Sequence, residues 1–155
     1  MREILFRGQT RKFGEKVRVG DGQKLPGHWV YGGVLQGVGA HSIIYGGENL
    51  DDPSDVFDKW PVYTDTLGQY TGLTDKNGKK IFEGDIIQIR FEGDAEPPNT
   101  PPVWYETGKV IWHEQLHGWY VVFDSPDGIP IQEYDDCDNV VVIGNIHDNP
   151  ELLEG

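Results

Sequence analysis

A chain of 155 residues with 37% hydrophobic, 25% charged and 12% aromatic positions can bury one ordinary core or two small ones, which excludes extended disorder and a collagen-like chain. Its 21 glycines, about twice average usage, and 10 prolines exclude long helices and point to a mainly β fold. The formal charge of −13 is unevenly placed: residues 1–66 carry 8 Lys/Arg against 9 Asp/Glu, and residues 67–155 carry 5 against 17. The first 24 residues invert the pattern, with 7 basic and 3 acidic positions. An acidic bulk opposes phosphate, so direct nucleic-acid binding is not expected. The bland reading of the charge is a solvated acidic surface.

In chain order, Glu3–Arg7 reads as a short strand, and residues 13–28 read as a Gly/Lys-rich loop or loose hairpin with a Leu25-Pro26-Gly27 turn. The β-branched and aromatic runs 29–35 and 42–45 read as strands of a first sheet. Asp52-Pro53-Ser54-Asp55 offers a cap, a first-turn proline and an acid, predicting a turn or two of helix ending near Trp60-Pro61. The run 69–74 and the run 80–83 flank Asp75-Lys76-Asn77-Gly78, where Asn77-Gly78 predicts a two-residue hairpin turn. Ile87, Ile89 and Phe91 repeat with period 2 and predict a core strand. Residues 92–102 hold four prolines and read as a projecting loop. Strands over 108–112, 119–123 and 140–146 follow, and Asn149-Pro150-Glu151 starts a last helical turn. This divides the chain into an N-terminal β-rich part, 1–66, and a C-terminal part, 67–155, whose short strands suit a small closed or nearly closed barrel.

Four separated segments carry a family resemblance. The run from Leu67 to Ile87, containing Gln69, Tyr70, Thr71, Gly72, Leu73, Asn77, Gly78, Gly84 and Asp85, closely resembles the signature of the YopX family of phage and prophage proteins. The opening Met1–Gly8, the Trp29–Gly32 segment and the ending Val142–Leu153 resemble the same family in the same order. Extra residues around 16–28 and at 92–102 depart from the shorter members. The resemblance implies a C-terminal SH3-like small barrel and a phage or prophage origin in a bacterial host. It implies no reaction and no catalytic residue. The residues themselves give the motif structural reasons: Gly78 for the hairpin, Gly72 and Gly84 for sharp bends, Asp85 for capping a turn.

Other chemistry is weaker. His113 and His117 have helical ligand spacing but fall in a predicted hairpin loop, and Asp51, Asp52, Asp55 and Asp58 lack the glycine and acid of a calcium loop, so no metal is expected. Cys137 stands alone among acids, which suppress a thiolate; with no disulfide and no apolar span, the chain is expected to be cytoplasmic with no membrane contact. No cofactor and no enzyme activity are expected, with a small hydrolase as the residual alternative. Trp112 and Trp119, flanking a hairpin, are expected in the core, whereas Trp104 and Tyr105 suit an exposed contact or a packed edge. The expected function is protein–protein contact or homo-oligomer formation through Arg7, Arg11, Lys12, Trp104 and Tyr105, with an unidentified host or phage protein as the other partner class. The alternative is an acidic decoy, a DNA mimic, that blocks a host nucleic-acid-binding protein.

Overall fold

The computed structural model describes residues 3–10, 28–36, 41–47, 59–94, 101–123, 128–131 and 139–154. The helix expected after Asp52, the surroundings of Cys137, residues 95–100 of the proline-rich stretch, and Arg11 and Lys12 lie outside these residues. The chain forms two compact units, Met1–Tyr70 and Thr71–Gly155, both built on antiparallel strands.

In the first unit, strands β1 (Phe6–Thr10), β2 (His28–Leu35), β3 (His41–Gly47) and β4 (Lys59–Tyr63) form an antiparallel meander. The opening strand begins three residues later than the sequence predicts, and Trp60-Pro61 is strand rather than the end of a helix. Val30, Ile44 and Val62 are fully buried, with Phe6, Val34, Trp60 and Leu67 packed around them. Two features draw the strands close. Gly32 faces Gly46 across β2 and β3, and a Cβ at Gly46 would lie 1.9 Å from the Tyr31 carbonyl oxygen. At the seam between β1 and β4, Gly8 lies against Val62, and hydroxyls do the bridging. Thr10 Oγ1 donates to the Pro61 carbonyl, and the Gln9 N–H donates to Thr66 Oγ1 at 2.9 Å. Pro61 has no N–H to offer a ladder, so side chains bridge this edge of β4.

Strand β5 (Gly68–Thr74) crosses the division between the units: its start pairs with β1, and it neighbours β6 (Lys80–Phe82). The second unit continues with β7 (Asp85–Glu92), β8 (Val103–His113), β9 (Gly118–Val122), β10 (Ile129–Pro130) and β11 (Val140–Asn145), in the sheet order β10-β9-β8-β7-β11. Closure into a barrel is not observed, since β10 and β11 end this order and no described pairing joins them. Period 2 in β7 puts Ile87 and Ile89 in a core with Ile81, Val110, Trp119, Val121, Ile131, Val140 and Val142, and Phe91 packs at its margin. Aromatic pairs lie at both ends of β8. Trp104 stacks on Phe91, with ring centroids 5.6 Å apart, and Trp112 meets Trp119 edge-on at 5.1 Å. Trp119 is buried as expected; Trp112, which faces it across β8 and β9, is 40% exposed. A short 3₁₀ helix, Pro150–Leu153, starts with proline at its first turn, after an Asn145 turn in which Asn145 Oδ1 accepts the N–H groups of His147 and Asp148.

Candidate functional site

The signature segment 67–87 is a hairpin followed by a tight turn, and Thr71, Asp75 and Asp85 are buried within it. Asp75 is 3% exposed, and its carboxylate accepts three backbone N–H groups. Oδ1 takes those of Asn77 and Lys79, each at 2.9 Å, and Oδ2 takes that of Val142 at 3.0 Å. The Lys76 N–H then donates to the Val140 carbonyl at 3.0 Å. The turn thus lies along β11 like a short extra strand, occupying backbone groups that an edge would expose. The turn is not the two-residue type predicted from Asn77-Gly78. Gly78 has φ +78° but Asn77 does not share the left-handed region, and Asp75 N–H donates to Lys79 O while Gly78 N–H donates to Asp75 O. This is a three-residue loop closed by glycine, with Asp75 as its organiser.

The rest of the signature is used similarly. Thr71 Oγ1 donates to the Ile81 carbonyl at 2.8 Å and accepts the Leu73 N–H; between them Gly72 turns out to solvent at φ +88°. Tyr70 N–H donates to Leu5 O, and Gln69 faces Phe6. Gly84 donates its N–H to Val110 O and accepts that of Ile146, and Asp85, 1% exposed, accepts the Phe82 N–H at 2.8 Å across the Glu83-Gly84 turn. These contacts give the segment an architectural task. Asp85 caps its turn as its sequence position predicts; nothing local marks the role of Asp75, because its decisive partner is 67 residues away.

Residues 38–154 of the chain match the model of the family described as YopX protein, three quarters of its length. The chain belongs to the YopX family. A crystal structure of protein EF1440 from Enterococcus faecalis is similar at 30% identity over 56% of this chain, with a TM-score of 0.36. The matched region covers 54% of that protein's chain, so the two share about half their lengths. No curated protein matches. The YopX match begins after β2 and takes in the whole Asp75 clamp and its β11 partner.

Outside the signature, this YopX protein presents a ribbon. Only Asp85–Ile89 of β7 pair with β11, and only Lys109–His113 of β8 pair with β9. Among the described residues, 90–92 and 103–105 therefore pair with each other alone. The Gly93 N–H continues the pairing to Pro102 O at 2.8 Å, so the base of the expected loop is an ordered extension of the sheet. Val103, Trp104 and Tyr105 are 42, 45 and 60% exposed. Trp104 and Tyr105 do not form one surface, because successive strand residues face opposite ways. Trp104 leans on Phe91, while Tyr105 stands opposite Arg90, whose guanidinium meets Glu92 at 2.9 Å.

Arg7 departs from the expectation, whereas His113 and His117 lie at the β8–β9 hairpin loop as the sequence predicts. Arg7 is 5% exposed, with its guanidinium carbon 4.5 Å from the Trp29 ring centre, so it is packing material of the first unit rather than an accessible contact. His113 accepts the Leu116 N–H on Nδ1 and lies 5.1 Å from the Tyr120 ring, and His117 holds the left-handed position of that turn at φ +50°. Among the described residues, no three His, Cys, Asp or Glu side chains are grouped to hold a metal, and no helix is long and apolar enough to cross a membrane.

Proposed function

We propose that this YopX-family protein is a non-catalytic phage or prophage accessory protein that works by protein–protein contact, with a second copy of the chain as its partner. The second unit serves as an SH3-like scaffold in this reading. Its support is the strand order, a four-strand meander whose fifth strand returns beside the first. The observation that carries the contact is the β7–β8 ribbon. A two-stranded ribbon is marginal in water, and this one exposes Val103, Trp104 and Tyr105. Its Tyr105 face carries Arg90 and Glu92, opposite charges two residues apart. A two-fold contact sets a patch against itself, and such a patch complements its own copy when Arg90 of one faces Glu92 of the other. The basic residues 11–24, 5 Lys/Arg against 2 Asp/Glu, add attraction to a second half at −12.

Sedimentation velocity across a concentration series at low and high salt tests the reading. The expected result is a species larger than 17.5 kDa whose dissociation constant rises about tenfold or more in Tyr105→Ser and in Arg90→Ala. A monomer at every concentration would end the self-contact reading and leave the acidic decoy. A dimer unaffected by both substitutions would remove the ribbon from the interface.

A further inference from the structure

The chain contains six asparagines, at 49, 77, 99, 139, 145 and 149, followed in turn by Leu50, Gly78, Thr100, Val140, Ile146 and Pro150. Only Asn77 precedes a residue without a side chain. Spontaneous deamidation needs the backbone nitrogen of the next residue to attack the asparagine side chain, and a bulky or β-branched neighbour obstructs that approach. Asn77 and Gly78 also lie at an exposed turn, open to water and hydroxide.

We propose that Asn77 is a modification site, converting to aspartate and isoaspartate, and that the Asp75 clamp controls its rate. In the reaction, hydroxide removes the Gly78 amide proton and the nitrogen forms a bond to Asn77 Cγ. The Cγ–Nδ2 bond breaks, and the amide nitrogen leaves as ammonia after taking a proton from water. Water then opens the resulting five-membered imide. Attack at the former side-chain carbonyl returns aspartate, and attack at the backbone carbonyl leaves the chain running through the side chain as isoaspartate. No oxidant or cofactor is consumed.

The folded turn opposes the first step in two ways. The Gly78 N–H is committed to Asp75 O at 2.9 Å, so that bond must break before the nitrogen can attack. The Asp75 carboxylate accepts the N–H groups on both sides of Gly78, those of Asn77 and Lys79, and its charge disfavours a second negative charge on the intervening nitrogen. Once isoaspartate forms, the extra backbone carbon between residues 77 and 78 lengthens a loop closed by the Asp75 N–H to Lys79 O bond at 2.8 Å. The clamp on β11 loosens, and the change is not reversed by refolding. Asn77 thereby records how long a molecule has spent with this turn open.

The test is peptide mapping by mass spectrometry of the full chain held at mildly alkaline pH, natively and in urea, alongside Asp75→Ala under native conditions. The expected result is conversion at Asn77 ahead of the other five asparagines, at least about tenfold faster in urea than in the native protein, the factor that one hydrogen bond of this kind supplies. Asp75→Ala is expected to convert faster than the native protein. If that variant does not fold, the urea comparison decides alone. Equal rates in the native protein and in urea would overturn the control by the clamp, and earlier conversion of any other asparagine would overturn the site.

Discussion

Replacing Asp75 with alanine is expected to lower stability by about 3–5 kcal/mol, near the upper end of single-residue effects. Three donors lose one acceptor group at once. The N–H groups of Asn77 and Lys79 are in an exposed turn and recover water, so each costs only about 1 kcal/mol. The Val142 N–H belongs to a residue 9% exposed within the core, and a stranded donor there costs about 1–3 kcal/mol. Asp75→Asn separates acceptor chemistry from size. An amide can offer its oxygen to the turn or to β11 but not to both, so the isosteric variant should lose most of the same stability. Urea denaturation of the three proteins checks this, and an Asp75→Asn midpoint equal to the parent would show that shape alone matters.

Gly46→Ala is the second large effect. The added Cβ would stand 1.9 Å from the Tyr31 carbonyl oxygen and 3.0 Å from Gly32 Cα, both backbone atoms of the facing strand. No rotamer change relieves a clash with backbone, so β2 and β3 must separate where Gly32 faces Gly46. The separation also disturbs Trp60, whose indole N–H donates to Gly46 O at 2.9 Å, and with it the packing around Val30, Ile44 and Val62. The expected cost is about 4 kcal/mol or more, a drop in melting temperature of roughly 10 °C. Gly33→Ala is the control: a Cβ there meets nothing within 4 Å, and its melting temperature should shift far less.

The contrast between these positions shows which features are readable in one dimension. The mainly β class, the strands around Val30, Ile44 and Ile87, and the bend at Gly84 follow from local composition and period, and they appear in the structure. Asn77-Gly78 marked a hairpin, yet the loop is one residue longer than that dipeptide alone implies, because Asp75 folds its carboxylate over the turn. Nothing near Asp75 announces Val142, and nothing near Arg7 announces Trp29. Both pairings exist only once strands are in register, which is why a residue type that usually faces solvent is buried in each case. Trp104 and Tyr105 are different: period 2 alone puts them on opposite faces, whereas the meeting of Trp104 with Phe91 and of Tyr105 with Arg90 depends on the β7–β8 register. Trp112 shares its strand face with buried Val110, and period alone does not foretell that it is 40% exposed.

That the YopX signature acts as a clamp is tested most directly by native-state hydrogen exchange at the amides of Asn77, Lys79 and Val142. All three donate to one buried carboxylate, although the first two residues are exposed at the tip of a turn. The clamp predicts that the Asn77 and Lys79 amides are protected, and that they lose protection together with Val142 when Asp75 is replaced by alanine. Exchange of Asn77 and Lys79 at the rate of a free surface turn in the parent protein, with Val142 still protected, would contradict it.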